Sequence, residues 1–173
     1  MDDLDGIYEL VYADQVVKSA WSARKGTPQE IKQSFAQEWI SPYSEFGFKA
    51  LSLREDQTLL GLIGFQRHEP EEDTSWLVLK NEPDYRVGSE PSFIEVELTY
   101  ALGRQYWGFG YATEMGNALI KYGFTQLGIR RIINSVATQN ERSINLMLRL
   151  GFRIEANASS SSPGTNGILN NHE

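Results

Sequence analysis

The chain has 173 residues and a mass of 19.6 kDa, the size of one domain that can bury a hydrophobic core. It contains no Cys and 2 His, so disulfides, thiolate metal sites and a cysteine nucleophile are excluded, and no metal site is expected. The net charge of −7 argues against binding to nucleic acid or to an anionic membrane. Simple solubility accounts for this charge, and a cationic substrate such as an amine is compatible with it. The acidic first residues and the lack of a long apolar segment predict a cytoplasmic location.

The first third of the sequence predicts two helices followed by a hairpin. Residues 2–18 begin with acidic side chains and then repeat apolar ones at helical spacing, which predicts a first helix. Thr27 and Pro28 have the capping and first-turn residue types of a second helix. The period then changes, and residues 46–66 are predicted as two strands of a hairpin. A long irregular connection over 67–92 follows, and we expect it to be a functional loop or to hold a small element of its own.

Strands and helices alternate in the rest of the chain. The predicted elements are a strand over 93–102, a helix over 111–127, a strand over 132–137, a helix capped by Thr138 or Asn140 and ended by Gly151, and a strand that begins at Phe152. Residues 158–167 are rich in Ser and Gly and are predicted to form a flexible loop, with one short strand at most after it at Ile168-Leu169. This order predicts a single α/β domain over 1–173, in which helices cover a mixed sheet.

The sharpest motif is the turn from Gln105 to Thr113, which follows a strand and opens a helix. Gly108 and Gly110 allow backbone N–H groups to approach a ligand, and the N–H groups of the next helix point the same way. We therefore expect a cradle for a pyrophosphate, although a tight turn that needs glycine only for its geometry would show the same pattern. A Rossmann fingerprint and a P-loop are excluded, because neither G-x-G-x-x-G nor Gly-Lys-Ser/Thr occurs.

Two blocks of the sequence resemble the GNAT superfamily of acetyl-CoA-dependent N-acetyltransferases. Gln105-x-x-Gly108-x-Gly110 is similar to the family's cofactor pattern Q/R-x-x-G-x-G/A, and the run 98–114 resembles the branch that acetylates the N-termini of ribosomal proteins. Residues 140–143, followed by 150–152, resemble the family's N-x-x-S and L-G-F. The resemblance covers nearly the whole chain. It implies a GNAT-like acyl-CoA N-acyltransferase fold, with a central mixed, mostly antiparallel twisted sheet and about four helices.

The resemblance also implies acetyl-CoA as co-substrate, no metal, and direct transfer of the acetyl group to an amine. Its cofactor-binding residues lie at the end of a strand, on the glycine turn and at the start of a later helix. They are Tyr100, Ala101, Leu102, Gln105, Gly108, Phe109, Gly110, Tyr111, Ala112, Thr113, Asn140 and Arg142. The branch favours a peptide N-terminus as acceptor, while a small-molecule amine (an antibiotic, a polyamine or an amino acid) is the alternative. A monomer or a homodimer is expected.

Three residues are candidates for the chemistry. An amine must lose its proton before it attacks a thioester, and a carboxylate can accept that proton. Glu95 and Glu97 lie on one face of the strand over 93–102, and the resemblance implies that a glutamate on this strand acts as base. Glu97 is preferred because it is nearer the thioester end, although either side chain could be a solvent-facing charge. Ser143 is the candidate partner of the CoA thiolate, and helix capping is the alternative at this helix start.

The sequence departs from the family pattern at two places. Members usually begin with a short strand before the first helix, whereas this chain begins at the helix. We expect either a truncated start or a sheet that leaves residues 46–54 at an exposed edge. Many members also have a Tyr general acid seven residues after the helix Asn, where this chain has Met147, which cannot donate a proton. A non-catalytic acetyl-CoA-binding module is therefore a further alternative.

Overall fold

A computed structural model describes residues 3–20, 27–39, 45–67, 94–156 and 164–171. The helices are α1 (Asp3–Ile7), a π-helix (Tyr8–Ala13), α2 (Gln15–Ala20), α3 (Pro28–Trp39), a 3₁₀ turn (Arg104–Tyr106), α4 (Tyr111–Gln126) and α5 (Glu141–Arg149). The strands are β1 (Gly47–Ser52), β2 (Leu59–Arg67), β3 (Ile94–Leu102), β4 (Ile129–Ala137), β5 (Arg153–Ala156) and β6 (Gly164–Asn170). Apart from Arg67, the connection predicted over 67–92 lies outside the described residues.

The strands of the described residues form one sheet in the order β1-β2-β3-β4-β6-β5. Strands β3 and β4 run parallel, whereas the pairs β1–β2, β4–β6 and β5–β6 are antiparallel. This mixed, mostly antiparallel sheet confirms the predicted fold class. Within the described ranges β1 is an edge strand, as expected for a sheet that leaves residues 46–54 exposed.

The chain divides into two compact units, one of Met1–Gln66 and Leu98–Ile120 and the other of Arg67–Glu97 and Lys121–Glu173. Each unit buries its own apolar side chains. The first unit buries a cluster of Ile7, Val11, Tyr12, Val17, Ile31, Phe48, Leu62 and Ala101. The second unit buries Val96, Ile129, Ile132, Ile133, Leu146, Met147, Leu150, Phe152 and Ile168. That residues 1–173 act as a single domain stays a prediction.

The prediction of one continuous helix over 2–18 is wrong, because the chain leaves the helical conformation at Asp14 (φ −77°, ψ 114°). The Asp14 carboxylate accepts hydrogen bonds from the backbone N–H groups of Val16 (2.8 Å) and Val17 (3.2 Å). Asp14 therefore caps α2 and begins a new helix. The apolar spacing continues across this break and conceals it, since both segments present their apolar side chains to the core of the first unit.

The start of α3 confirms the predicted cap. The Thr27 N–H donates to the Glu30 carboxylate at 2.8 Å, and the Glu30 N–H donates to the Thr27 hydroxyl at 3.3 Å. This reciprocal pair is a capping box, and Pro28 fills the first helical position, where no N–H is needed. The Glu30 carboxylate also accepts a hydrogen bond from the Thr27 hydroxyl at 2.9 Å. The hydrogen bonds from the Thr27 N–H and hydroxyl lower the pKa of the Glu30 carboxyl, because they stabilise its charged form.

The flexible loop predicted over 158–167 is wrong for its last residues, because β6 begins at Gly164 and pairs with β4 over 164–170. Small and polar residue types conceal this strand. Gly167 lies against the buried side chain of Met147, and a Cβ at Gly167 would come within 2.5 Å of the Met147 sulfur. The close approach of the two elements thus requires glycine within a strand, a residue that sequence patterns associate with loops. Residues 157–163 lie outside the described residues.

Candidate active site

The turn between β3 and α4 has the geometry of a ligand cradle. Gly108 and Gly110 have φ values of +86° and +89°, in the region that only glycine adopts easily. Apart from the two chain neighbours of each glycine, no heavy atom of the described residues lies within 4 Å of the place where either glycine would carry a Cβ. The positive φ values by themselves would account for glycine at both positions, as in a tight turn. The open space at both positions also fits the second explanation, a close approach of a ligand to the backbone.

Hydrogen bonding leaves the amides of this turn available. The N–H groups of Thr113 and Glu114 donate back to the carbonyl of Gly110 at 2.9 and 3.0 Å. In the described part of the chain, the backbone N–H groups of residues 108–112 have no acceptor. They precede a helix of 16 residues, whose dipole places partial positive charge at the same end. Such an end fits the negative charge of a pyrophosphate.

Trp107 fixes the turn to the end of β3. Its indole Nε1–H donates to the carbonyl of Leu102 at 2.8 Å, and its ring packs against the buried cluster of the first unit. The N–H of Gly103 donates to the carbonyl of Leu60 on β2 at 2.8 Å. The turn therefore starts from a backbone that is anchored at two points.

The other cofactor candidates of the first unit fall into two groups. Ala101 and Leu102 are buried at the end of β3, so only their backbone groups are suited to contact a ligand. Tyr100 next to them is half-buried. The remaining candidates are on the turn or in the first turn of α4, where Gln105 and Phe109 are exposed and Tyr111, Ala112 and Thr113 are half-buried.

Glu97 is a half-buried carboxylate on β3. Its Oε1 accepts a hydrogen bond from the Ser135 N–H at 3.4 Å, and its register partner on β4 is the buried Ile133. Burial raises the pKa of the Glu97 carboxyl, and the hydrogen bond from Ser135 only partly offsets this. A carboxylate with a raised pKa is a stronger base than an exposed one, which is a property of groups that accept protons in catalysis.

Glu95 differs from Glu97 in the residue of β4 with which it is aligned. The pairing of β3 with β4 shifts between Ile94 and Glu95, and Glu95 is aligned with Arg131. The side chain of Arg131 is only 3% exposed, and its Nε donates to the Asn170 side chain at 3.1 Å. Glu95 is thus aligned with a buried cation, and Glu97 with an apolar residue.

Asn140 and Ser143 form the N-terminal cap of α5. The Asn140 side-chain oxygen accepts the Ser143 N–H at 3.2 Å, which is the capping alternative that the sequence left open. Arg142 is exposed in the first turn of the same helix. Met147 is fully buried, so this position belongs to the core of the second unit. The binding and catalytic roles of Asn140, Arg142 and Ser143 stay predictions.

Sequence reasoning missed two residues of the second unit. Ser135 contributes only its backbone N–H to Glu97, and a backbone amide leaves no mark in a sequence. Arg131 had little signal, because it follows Arg130, which is exposed, and two adjacent arginines suggest a solvent-facing pair. Its burial and its hydrogen bond to Asn170 become visible only in the structure.

The described ranges contain no cluster of three or more His, Asp or Glu side chains that could hold a metal ion. Among the helices of these same ranges, none combines the length and the apolar character needed to cross a membrane.

The known proteins that this chain matches are acetyltransferases. Residues 1–153 match the family model of the acetyltransferase (GNAT) domain. An uncharacterized N-acetyltransferase of Bacillus licheniformis, p20, is 46% identical over 59 residues, which are 34% of this chain and 33% of p20. The aligned part of this chain therefore spans about a third of the length of that relative.

Solved structures are similar over almost the whole chain. An aminoglycoside acetyltransferase in complex with coenzyme A has a TM-score of 0.68 and 18% identity, over 97% of this chain and 89% of that chain. A spermidine N-acetyltransferase from Vibrio cholerae in complex with CoA and spermine has a TM-score of 0.67 and 16% identity, over 97% and 89%. At these identities the likeness is one of fold.

Proposed function

This chain belongs to the acetyltransferase (GNAT) domain family, and on that premise we propose that it is an acetyl-CoA-dependent N-acetyltransferase. It transfers an acetyl group directly to a primary amine. The observation that carries the proposal is the turn before α4, where the amides of residues 108–112 have no acceptor among the described residues and both glycines border open space. Direct transfer is supported by the sequence, because a chain without Cys cannot form an acetyl-cysteine.

The turn binds the pyrophosphate of acetyl-CoA in this proposal. The amides of residues 108–112 donate to phosphate oxygens, and the dipole of α4 adds attraction for their charge. The end of β3, residues 100–102, contributes backbone N–H groups to the acetyl carbonyl, where negative charge develops during transfer. Bound there, acetyl-CoA supplies an acetyl group activated as a thioester.

Glu97 is the proposed base. Its carboxylate takes a proton from the attacking amine, directly or through one water, while the new C–N bond forms and the C–S bond breaks. Its raised pKa makes it suited to hold this proton. Glu95 is the weaker candidate, because it lies further than Glu97 from the end of β3 that leads into the glycine turn.

The departing thiolate requires a proton donor or a positive field. Met147 cannot donate a proton and is buried in the core of the second unit. Ser143 is the proposed donor, since the residue is half-buried and its capping contact with Asn140 uses only its backbone N–H. Arg142 in the same helix turn adds positive charge.

Two acceptor classes are proposed. The run 98–114 resembles the branch that modifies ribosomal-protein N-termini, which supports a peptide N-terminus. The net charge of −7 supports a small polycationic amine instead, and solved structures of this fold include enzymes whose substrates are aminoglycosides and spermidine.

A thiol-release assay with acetyl-CoA tests the proposed function. The panel contains peptides with free N-termini, spermidine and spermine, aminoglycosides and free amino acids. We expect turnover with at least one class and one acetylated nitrogen in the product. Binding of acetyl-CoA without turnover over the whole panel would favour a non-catalytic acetyl-CoA-binding module, and binding of NAD or ATP in preference to acetyl-CoA would overturn the proposal.

The Glu97→Gln variant tests the base. We expect kcat near neutral pH to fall by about 100- to 10,000-fold, the usual contribution of a general base. The deficit should shrink at high pH, where the acceptor amine loses its proton to water. An equal deficit at neutral and high pH would contradict the assignment. Glu55→Gln in the exposed turn between β1 and β2 is the matched control and should leave kcat unchanged.

A stability measurement on the same variant gives a second readout. Because burial raises the pKa of Glu97 in the folded state, the wild-type protein loses stability as the pH rises through that pKa and the buried carboxyl ionises. Glu97→Gln has no charge to bury there and should show a flatter dependence of stability on pH over this interval. A pH dependence unchanged from wild type would contradict the raised pKa.

A further inference from the structure

Phe109 is an aromatic side chain that stands out from the surface between the two glycines of the turn. It is 70% exposed. Its ring stacks on Tyr111, the first residue of α4, with centroids 6.0 Å apart and planes 25° apart. We name this pair the Phe109 ledge. Tyr111 covers part of the Phe109 ring, and the rest of the ring is left to solvent.

The fold itself does not account for this exposure. The positive φ values of the turn are supplied by Gly108 and Gly110, and Trp107 anchors the turn to the end of β3. In the described residues the other exposed large apolar side chains are Val16 at 40%, Tyr122 at 37% and Leu148 at 54%. Phe109 is more exposed than any of them, and burial of a phenyl ring is favourable. An aromatic ring that the fold leaves exposed beside a ligand cradle is placed to contact the ligand that binds there.

The chemistry of the neighbouring amides identifies the ligand group. In the proposed function these amides bind a pyrophosphate, and in acetyl-CoA the pyrophosphate is joined through one ribose to adenine. Adenine is flat, and bases stack on aromatic side chains. A neutral ring bordered by amide donors also imposes no charge repulsion on a nucleotide.

We propose that the Phe109 ledge stacks against the adenine base of acetyl-CoA, so that the chain binds the nucleotide end of its co-substrate as well as the pyrophosphate. This inference rests on the proposed function. It assigns to Phe109 a contribution to affinity and to the choice between CoA and shorter thiol carriers, with no part in the proton transfers.

The experiment compares two ligands on four proteins by titration calorimetry. The ligands are CoA and 4′-phosphopantetheine, which lacks the 3′-phosphorylated adenosine and one of the two phosphates of the pyrophosphate. The proteins are wild type, Phe109→Ala, Phe109→Trp and the control Tyr122→Ala, which removes an exposed aromatic ring elsewhere on α4. We expect Phe109→Ala to weaken CoA binding by about 5- to 100-fold, the range for one base stacked on one aromatic side chain. We also expect unchanged binding of 4′-phosphopantetheine, full CoA affinity for Phe109→Trp, and no effect of Tyr122→Ala.

A fluorescent CoA with an etheno bridge on its adenine gives a second measurement. Its emission should fall on binding to wild type and most strongly on binding to Phe109→Trp, because a stacked indole quenches the base. Equal weakening of both ligands by Phe109→Ala, or an emission in Phe109→Ala that matches wild type, would overturn the inference while CoA binding by wild type still stands. Wild-type protein that binds neither CoA nor 4′-phosphopantetheine would overturn the proposed function and this inference together.

Discussion

Two helix starts in this protein meet the same physical demand in opposite ways. The first N–H groups of every α-helix have no partner inside the helix. At α5 the side chain of Asn140 accepts the Ser143 N–H, and the demand is met within the chain. At α4 the preceding residue is Gly110, which has no side chain to act as a cap. The amides of residues 108–112 have no acceptor among the described residues.

This difference separates a helix start that the chain itself caps from one that we propose binds an anion. A cap contributes to the stability of the folded chain and leaves little for a ligand to gain. An uncapped start gives up that stability and keeps its donors and its dipole for an anion. Sequence motifs marked both starts as cofactor-binding, and the hydrogen bonds of the structure distinguish them.

Among changes at the two helix starts, the largest effect is expected at the uncapped one. Gly110→Ala forces an alanine into φ near +89° and places a Cβ in the open space of the cradle. We expect CoA affinity to fall by at least about tenfold, beyond a stability cost of about 1–2 kcal/mol for the left-handed conformation. Calorimetry with CoA and thermal unfolding measure the two effects.

Gly128→Ala is the matched control for the cradle. Gly128 follows α4, has φ +65° and also borders open space, so its replacement should cost similar stability. It should leave CoA affinity unchanged. Equal losses of affinity in the two variants would mean that Gly110 acts through stability alone and would remove the distinction between the helix starts.

Ser143→Ala tests whether the capped start also takes part in the chemistry. The variant keeps the backbone N–H that Asn140 accepts, so the free energy of unfolding should not change. If the hydroxyl protonates the thiolate, kcat falls by about tenfold or more and KM for acetyl-CoA stays the same. A kcat equal to that of wild type would restrict Ser143 to the cap.

Asn140 variants separate capping from cofactor binding. Asn140→Ala removes the cap and should lower the free energy of unfolding by about 1 kcal/mol, measured by urea denaturation. Asn140→Asp keeps the cap but adds negative charge, so it should recover stability and weaken CoA binding if Asn140 contacts the cofactor. An Asp variant that binds CoA as wild type does would show that Asn140 only caps α5.

The smallest expected effect involves Glu114, an exposed acid in the first turn of α4. A negative charge there stabilises the helix but repels an anion at the same end. Glu114→Gln should tighten CoA binding by about two- to fivefold at low salt, with less change at high salt. Calorimetry at two ionic strengths checks this. A weaker affinity at low salt would contradict binding at this helix start.

The elements with local signals could be predicted from the sequence. Thr27 and Pro28 mark the start of α3, and the glycine turn lies between a strand and a helix as expected. The break at Asp14 could not be predicted, because the apolar spacing runs through it and only its two side-chain hydrogen bonds reveal the cap. The extent of strand β6 could not be predicted either. Its Gly167 is needed because the strand lies close to Met147, a residue far away in the sequence.

The candidate site also combines features that have a local signal in the sequence with features that depend on distant contacts. Its glycines have a local conformational cause and are visible in the sequence. The preference for Glu97 over Glu95 depended on an assumed position along the strand. In the structure the two differ through their neighbours on β4, Ile133 and Arg131. Pairing between distant strands sets these neighbours, so the raised pKa of Glu97 cannot be derived from the sequence of β3 alone.

One titration tests directly whether the start of α4 is the helix start that binds acetyl-CoA. Backbone amide resonances of the ¹⁵N-labelled protein are followed by NMR as CoA is added. We expect the amides of residues 108–112 to shift most and to become protected from hydrogen exchange, because phosphate oxygens become their acceptors. Saturation with CoA that leaves these amides unshifted and exchanging as before would contradict it.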